Sequence, residues 1–338
     1  MKIAFINYYQ NKVNRGSETF VKEITFRLLA TNQVDIIFGE GKVIKRWPLL
    51  WRTFLDLQGL TILFFTLKIL PTLWRGRYDV IIPLNGGWEA AIIRIITWLM
   101  GAKIIITGHS GIGWDDLNNL WCFPDYFVAL STKALDWAKK SNPLVKIVYI
   151  PNGVDLNRFN PQGERLSVNL PVPIILCVGA LTPDKRMDLV IKAVAKLNNA
   201  SLLVVGEGEL RGELEALGTK LLRNRFKIMK LPYNKIPEVY RSADLFTLAS
   251  TTSHSFEIVL IEAMASGLAV VANRDPIRQE IVGEAGILVD PENTLDYSEI
   301  IKKALVTNWE KKPQKQAARF DWGKISKQYE NLINNRSL

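Results

Sequence analysis

Cysteine and histidine are scarce in this 338-residue sequence, which contains two of each. Cys122 and Cys177 lie in apolar stretches and form no disulfide framework, so we interpret both as buried thiols of a cytoplasmic protein. His109 and His254 have no cluster of carboxylates or thiolates beside them, and two imidazoles alone make a poor metal site. We therefore expect the protein to work without a metal.

The sequence also lacks a secretory signal and an uninterrupted membrane span. The apolar run at residues 2–7 is followed by no cleavage region and is interpreted as a first strand. The segment at residues 47–74 is interrupted by Arg52, Asp56 and Lys68, so it does not reach the roughly 20 consecutive apolar residues that cross a bilayer.

The composition is that of a globular protein with a basic excess. Hydrophobic residues make up 48% and charged residues 22% of the chain, which argues against intrinsic disorder. The net charge is +10, and residues 1–165 hold 20 Lys and Arg against 13 Asp and Glu. This bias suits an anionic surface or substrate, but it also fits a merely soluble basic protein. No nucleic-acid-binding motif accompanies it, so we expect no nucleic acid partner.

Short runs rich in Val, Ile and Leu alternate with longer helical patterns along the whole chain. Runs at these positions predict buried strands: 2–7, 33–38, 79–84, 103–108, 126–130, 146–150, 173–178, 201–206, 226–230, 245–248, 269–272 and 286–289. These segments predict helices: 17–30, 88–100, 132–141, 188–197, 210–223, 235–242, 258–266 and 296–308. The alternation predicts an α/β protein with doubly wound parallel sheets.

A stretch without period, rich in Asn, Pro and Gly, separates two such halves at residues 155–172. The length suits two α/β domains of roughly 150 residues each, so we place an N-terminal domain at 1–165 and a C-terminal domain at 166–318. Ligands of open α/β sheets bind beyond the carboxyl ends of the strands. We therefore expect the two sheets to face each other across a cleft that holds the site.

A basic loop follows the predicted strand at 173–178, with the sequence VGALTPDKR at 178–186. Gly179 lets the backbone approach a ligand, and the following helix offers free N–H groups and a positive dipole end to an anion. Lys185 and Arg186 add full charges for a diphosphate. The alternative is a plain strand–loop–helix with solvated basic residues.

Two further segments carry weaker signals. Gly206 and Gly208 follow the predicted strand at 201–206 and suit either a tight turn, the simpler interpretation, or an approach to a ribose. Glu262 lies inside the apolar helical pattern at 258–266, where a carboxylate needs a partner or a ligand. A ribose diol fits, because one carboxylate accepts both hydroxyls; the alternative is a glutamate on the helix surface.

Taken in order, these segments resemble the retaining glycosyltransferase family 4, which has the GT-B fold of two facing Rossmann-like domains. The resembling pieces are the glycine-containing loop RGSE at 15–18, TGHS at 107–110, IPNGVD at 150–155, the basic loop at 178–186 and the Glu-x7-Glu region at 250–271. Residues 319–338 resemble the family's C-terminal segment, which returns to the N-terminal domain. The resemblance covers nearly the whole chain.

The resemblance implies transfer of a sugar from a nucleotide-diphosphate sugar to a glycan or lipid-linked acceptor, with retention of configuration and without a cofactor. It implies catalytic roles for His109, Lys185 and Glu262. It implies these donor-binding residues: Gly16, Gly179, Lys185, Arg186, Gly206, Glu207, His254, Phe256, Glu257, Ile258, Val259 and Glu262. It implies these acceptor-binding residues: Arg15, Ser17, Glu18, Asn85, Gly86, His109 and Ser110.

The chain departs from the family pattern at three positions. Ala180 stands where an arginine is usual, so diphosphate binding would depend on Lys185 and backbone N–H groups. His254 replaces the first glutamate of the pair, and Glu257 stands where a glycine is common. These replacements keep open a non-catalytic sugar-nucleotide or polysaccharide-binding protein; a nucleotide-sugar epimerase of the same fold is another alternative.

Aromatic and basic residues are interleaved in the segment at 42–77. This composition predicts a segment that lies on an anionic membrane surface, which would place the protein peripherally on the inner face of the plasma membrane. The alternative is a buried helix of the N-terminal domain with solvated ends.

Overall fold

The computed structural model describes residues 1–12, 16–44, 46–47, 50–251 and 256–334. The chain divides into two compact units, Met1–Asn152 with Trp322–Leu338 and Gly153–Asp321. The first unit ends before the predicted boundary at residue 165 because the residues that follow bond within the second unit. The Val154 N–H donates to the Phe320 carbonyl at 2.7 Å, for example, and the Leu166 N–H to the Glu238 carbonyl at 3.1 Å.

The first unit is a six-stranded parallel sheet flanked by helices. Its elements are β1 (Lys2–Ile6), α1 (Gly16–Leu28), β2 (Gln33–Ile37), α2 (Leu57–Gly76), β3 (Val80–Pro83), α3 (Trp88–Met100), β4 (Lys103–Thr107), α4 (Trp114–Trp121), β5 (Tyr126–Ala129), α5 (Thr132–Ser141) and β6 (Ile147–Tyr149). The strand order is β2-β1-β3-β4-β5-β6, with Ile3 opposite Val34 on one side and Val80 on the other. The order reverses between β1 and β3.

The second unit is also a six-stranded parallel sheet. Its elements are β7 (Ile174–Val178), α6 (Met187–Val194), β8 (Ser201–Val205), α7 (Arg211–Leu222), β9 (Phe226–Met229), α8 (Ile236–Arg241), β10 (Leu245–Leu248), α9 (Ile258–Ala265), β11 (Val270–Asn273), α10 (Pro276–Val282), β12 (Gly286–Val289), α11 (Thr294–Val306) and α12 (Lys312–Ala317). The strand order is β12-β11-β10-β7-β8-β9, which is the order of dinucleotide-binding domains. It reverses between β7 and β10.

The last helix, α13 (Trp322–Ile333), belongs to the first unit. Its Trp322 and Tyr329 rings lie 6.2 and 5.3 Å from the ring of Phe20 in α1. The Thr31 hydroxyl donates to the Glu330 carboxylate at 2.7 Å. The chain therefore starts and ends in the same unit.

The predicted α/β class with parallel sheets is confirmed, and each predicted strand forms close to its expected bounds. The prediction was incomplete at α4, α10 and α12, which periodicity did not mark as helices, and it gave no bounds for the helix α2. At α2, Asp56 is the N-cap, with its carboxylate accepting from the Gly59 N–H at 3.0 Å. An acidic interruption of the apolar run is thus the residue that starts the helix.

Together with the 3₁₀ turn before it, α2 forms the 26-residue segment Trp51–Gly76. Its most apolar stretch of 18 residues has a mean hydropathy of 1.5, so the segment is long and apolar enough to cross a membrane. One face of α2 is buried in the core of the first unit, where Ile62, Phe65 and Leu73 pack with strand residues such as Ile6 and Ile81. A helix with one face on a sheet and the other exposed is a surface helix of a folded domain.

Candidate active site

Two loops leave the second sheet at the point where its strand order reverses. One follows β7 and runs from residue 179 to 186. The other follows β10 and is described at residues 249–251 and 256–257. Neighbouring strands at such a point send their connections to opposite faces of the sheet, which leaves a crevice at the carboxyl ends where ligands bind. The predicted donor-binding residues Lys185, Arg186, Phe256 and Glu257 lie on these two loops. His254 is outside the residues that the structure describes.

The loop after β7 brings Lys185 to this edge through a single 3₁₀ turn, Pro183–Lys185. The Lys185 N–H donates to the Thr182 carbonyl at 3.1 Å, and Arg186 then adopts a left-handed conformation with φ of 48° before α6 begins. The side chain of Lys185 is only 18% exposed, so its ammonium lies within the fold.

The Lys185 ammonium binds Glu257, the N-cap residue of α9. Its Nζ lies 2.8 Å from Glu257 Oε1, and Asp184 Oδ2 is 3.8 Å away. The same Glu257 oxygen accepts from Arg278 Nη2 at 3.3 Å. The glutamate that replaces the common glycine therefore bridges two cations, a contact that the sequence analysis did not predict.

Arg278 is a functional candidate that the sequence analysis missed. Its side chain is fully buried in α10, where it donates to the Ser250 hydroxyl at 2.8 Å and lies 3.2 Å from the Asp275 carboxylate. Asp275 itself caps α10 through the N–H groups of Ile277 and Arg278. A buried guanidinium needs such partners, so Arg278 ties the loop after β10 to the start of α10.

Glu262 in α9 has a protein partner. It is buried, and the Tyr240 hydroxyl donates to its Oε2 at 2.9 Å. Burial, followed by the nearby Glu262 carboxylate, raises the pKa of Tyr240 well above its usual value, so the hydroxyl stays protonated as a donor. The predicted alternative of a surface glutamate is wrong, since Glu262 is buried inside the unit. It lies about 7.5 Å from Glu257 along the helix axis.

The glycines after β8 have a structural reason. A Cβ at Gly206 would lie 1.8 Å from the Gly179 carbonyl oxygen, and one at Gly208 would lie 2.4 Å from the Leu181 carbonyl oxygen. The simpler interpretation as turn residues is supported, because the loops after β7 and β8 pack backbone to backbone. A Cβ at Gly179 would meet only the end of Met187, at 3.4 Å.

The remaining predicted donor residues have varied surroundings. Arg186 pairs with Glu292 at 3.1 Å, and Glu207 pairs with Lys230. The Phe256 ring is buried, 5.5 Å from that of Phe320. Ile258 is buried and Val259 half-buried. Phe256 and Ile258 therefore contribute to the core of the unit.

The first sheet has its own reversal point, between β1 and β3, and the predicted acceptor residues Asn85 and Gly86 follow β3 there. Gly16 and Ser17 begin α1, and Arg15 is outside the described residues. Glu18 is buried, with its Oε1 accepting from the Asn7 amide at 3.3 Å. The carboxylate of Glu18, which we predicted to contact the acceptor, thus binds Asn7 in the loop after β1.

Asn85 and Gly86 follow β3. The Asn85 amide donates to Glu89 Oε2 at 2.6 Å, and its backbone N–H donates to Glu89 Oε1 at 3.1 Å. Glu89 is fully buried, and burial raises its pKa to about 7. Gly86 has a φ of 69°, and a Cβ there would lie 2.9 Å from Asn119 Oδ1. Asn85 and Gly86 line a depression together with Arg46, Asp56 and Trp88.

His109 follows β4 and packs 4.6 Å from the Phe20 ring. Its Nε2 is buried and has no hydrogen-bond partner among the described residues, while burial lowers the pKa of the ring to about 4. The ring is therefore neutral at pH 7, with one nitrogen free to donate or accept. Ser110 is exposed.

Asp116, also missed by the sequence analysis, holds the loop after His109. This fully buried carboxyl accepts from the backbone of Ser110 and Gly111 and from the Asn119 amide, the last at 3.2 Å. Burial raises its pKa to about 8. Within the described ranges, we find no group of three or more His, Cys, Asp or Glu side chains that could hold a metal ion.

Comparison with known proteins places the second unit in a family. Residues 162–320 match the profile of the family described as glycosyl transferases group 1. A Corynebacterium glutamicum GDP-mannose-dependent monoacylated alpha-(1-6)-phosphatidylinositol monomannoside mannosyltransferase is 29% identical over 176 residues, which cover 46% of each chain. One subunit of the Arabidopsis thaliana phosphatidylinositol N-acetylglucosaminyltransferase is 23% identical over 87% of this chain and 70% of its own. The chain thus matches less than half the length of the bacterial relative.

Solved structures extend the likeness to the whole fold. The crystal structure of Anabaena HepE in complex with UDP matches with a TM-score of 0.76 at 20% identity, over 99% of this chain and 100% of HepE. HepE has also been solved with UDP-glucose. From the profile match we conclude that the second unit belongs to the glycosyl transferases group 1 family. The two parallel sheets and the likeness to HepE show that the chain has the GT-B fold.

Proposed function

We propose that this protein transfers a sugar from a nucleotide-diphosphate sugar to a glycan or lipid-linked acceptor, with retention of configuration and without a metal or other cofactor. The observation that carries the proposal is the placement of Lys185 on a loop at the reversal point of a sheet with the dinucleotide-binding strand order. The complexes of HepE with UDP and UDP-glucose support a nucleotide-sugar donor.

In the proposed reaction, the second unit binds the donor. Lys185 and the backbone around Gly179 contact the diphosphate, where negative charge builds up as the sugar leaves, and stabilising that charge is the main electrostatic task. Glu262 accepts hydrogen bonds from the ribose, and the Tyr240 hydroxyl donates to its Oε2.

The first unit binds the acceptor in the same proposal. His109 is neutral at pH 7, and its buried Nε2 suits a hydrogen bond to a sugar hydroxyl. The names of the two relatives contain phosphatidylinositol monomannoside and phosphatidylinositol, and both are lipids. This supports a lipid-linked acceptor.

A lipid-linked acceptor also fits the outer face of α2. Leu57, Phe64, Leu67 and Trp74 are exposed along one stripe of this helix, and Lys68 lies among them. The adjoining α3 exposes Ile95, Trp98 and Leu99. Exposed apolar surface of this kind, with basic residues beside it, is typical of helices that lie in a membrane interface. We therefore place the protein on the cytoplasmic face of an anionic membrane; Lys45 of this segment is outside the described residues.

A non-catalytic nucleotide-sugar-binding protein is the second candidate. The observation that favours it is the pairing of Lys185 with Glu257 at 2.8 Å, together with Ala180 in place of the family's arginine. Both features weaken the positive charge that a leaving diphosphate requires.

The two candidates are separated by a donor screen followed by product analysis. We expect one of the UDP-, GDP- or ADP-sugars to raise the melting temperature, because a ligand that binds only the native state stabilises it. Incubation with that donor and a lipid-linked acceptor should then yield a glycoside with the donor's anomeric configuration, as measured by NMR. Stabilisation without transfer or hydrolysis would favour the binding protein, and an inverted product would contradict retention.

A further inference from the structure

The positive charge that the donor site offers is already matched by carboxylates of the chain itself. Lys185 and Arg278 share Glu257 Oε1, Asp275 lies 3.2 Å from Arg278, and Asp184 lies 3.8 Å from Lys185. Two cations thus face three carboxylates. An incoming diphosphate, which carries at least two negative charges, meets no free cation in this group.

Burial makes this pairing stronger than an ordinary surface ion pair. The side chains of Lys185 and Glu257 are 18% and 11% exposed, and that of Arg278 is not exposed at all. Screening by water and salt is weak for such groups, so repulsion between Glu257 and a diphosphate at Lys185 would also be strong. The neighbouring pair of Arg186 and Glu292 differs, since Glu292 is 70% exposed.

Arg278 gives Glu257 a second partner. Its Nη2 is 3.3 Å from the oxygen that binds Lys185, and its Nε is buried without a hydrogen-bond partner among the residues described. When Lys185 turns to a phosphate, the Glu257 carboxylate therefore keeps Arg278, which it shares with Asp275, as a partner. Release of Lys185 costs one ion pair and does not leave a bare buried carboxylate.

We propose that Glu257 is a built-in counter-ion that competes with the donor's diphosphate for Lys185 and so limits the affinity of the site for nucleoside diphosphates. The inference rests on the proposed function, in which Lys185 binds that diphosphate. A consequence is faster dissociation of the nucleoside diphosphate product, because the ion pair between Glu257 and Lys185 forms again as the diphosphate leaves. Glu257 is thus a positioning residue that acts through Lys185, in contrast to the sugar contact that the family resemblance implied.

Isothermal titration of the Glu257→Gln variant tests the proposal. The amide keeps the size of the side chain and an oxygen that accepts from Lys185, but it removes the charge. We expect inorganic pyrophosphate, and whichever of UDP, GDP and ADP the wild type binds, to bind at least about tenfold more tightly, or roughly 1.4 kcal/mol. Glu299→Gln is the matched control, because Glu299 is an exposed carboxylate in α11 of the same unit. The affinity of this variant should stay within about twofold of wild type.

Each outcome decides the question. Equal or weaker binding of UDP, GDP, ADP and pyrophosphate by Glu257→Gln, with binding by the wild type, overturns this inference alone. A gain for a nucleotide sugar without a gain for pyrophosphate would assign Glu257 to the sugar and also overturn it. Absence of binding in both proteins overturns the proposed function together with the inference. If the Gln variant does not fold, Glu257→Asp replaces it, because the shorter side chain moves the carboxylate away from Lys185 by about one methylene. This variant should bind pyrophosphate more tightly than wild type, by a smaller factor than Glu257→Gln. Unchanged affinity would contradict the proposal.

Discussion

Glu262 shows how one buried carboxylate can serve both the fold and a ligand. The Tyr240 hydroxyl donates to its Oε2 at 2.9 Å, and a carboxylate can accept more than one hydrogen bond. We predict that Glu262→Ala lowers turnover by at least about tenfold, or roughly 1.4 kcal/mol of barrier, because the ribose loses its acceptor. Steady-state kinetics with the preferred donor measure this.

Tyr240→Phe is the control for this variant. It removes the same hydrogen bond but keeps the carboxylate, so it should lower the free energy of unfolding by about 1 kcal/mol and leave most of the turnover. Wild-type turnover in Glu262→Ala, or equal losses of turnover in both variants, would show that Glu262 acts only through the fold.

Asp116 predicts a pH dependence of stability. Its pKa in the folded protein is about 8, against an ordinary value of 3.8, so between these values the unfolded chain has released a proton that the folded protein keeps. The stability from this group is therefore fully present below about pH 3.8 and is lost as the pH rises towards 8.

The measurement is urea unfolding at pH 5 and pH 8. Wild type should lose more unfolding free energy over this range than Asp116→Asn, whose amide does not titrate. Asp136→Asn, which removes an exposed carboxylate in α5, should keep the wild-type slope. A wild-type slope in Asp116→Asn would mean that the buried carboxyl does not hold its proton.

The sequence predicted which elements carry the candidate residues better than it predicted their contacts. Lys185 was found because a strand, a glycine and a basic loop lie next to one another in the chain. Its hydrogen bond to Glu257 joins positions 72 residues apart in the sequence, and a local periodic pattern does not predict contacts between such distant positions. Glu89 and Asp116 were missed for the same reason, since burial of a carboxylate depends on what packs over it.

At the scale of elements, the strands were predictable and several helices were not. Buried parallel strands are continuous apolar runs that propensity and pattern both mark. The helix α2 combines an N-cap aspartate, an internal proline and apolar residues on its exposed as well as its buried face. Its sequence therefore does not show the separation of apolar and polar faces that marks a surface helix. The helix is stabilised by the burial of one of its faces against the first sheet.

The exposed stripe of α2 leads to a test of membrane binding. Phe64 and Trp74 are 66% and 54% exposed, so replacing both with Ser should barely change the melting temperature. Co-sedimentation with phosphatidylglycerol-containing vesicles should fall at least about fivefold, because buried apolar area supplies much of interfacial binding.

Phe26 provides the matched control for this double variant. It lies in α1 of the same unit and is 74% exposed, so Phe26→Ser removes a similar apolar area at another place. Equal losses in the two variants, or wild-type binding by the double variant, would contradict an interfacial role for α2.

At the scale of the whole molecule, two units of similar architecture carry different chemistry. The first 165 residues hold most of the basic excess, and the first unit carries the exposed apolar helices. The second unit contains the family match and pairs its candidate diphosphate-binding cations with acids. This division fits a protein in which one unit meets an acceptor at a surface and the other holds a nucleotide.

In the proposed function, Lys185 is the cation that binds a diphosphate at the reversal point of the second sheet. The most direct measurement is the dissociation constant of the nucleoside diphosphate that wild type binds among UDP, GDP and ADP, compared for Lys185→Ala and for Lys192→Ala, a surface lysine of α6. We predict that Lys185→Ala raises the dissociation constant at least about tenfold and that Lys192→Ala leaves it within about twofold. Equal affinity in Lys185→Ala and wild type would contradict the account.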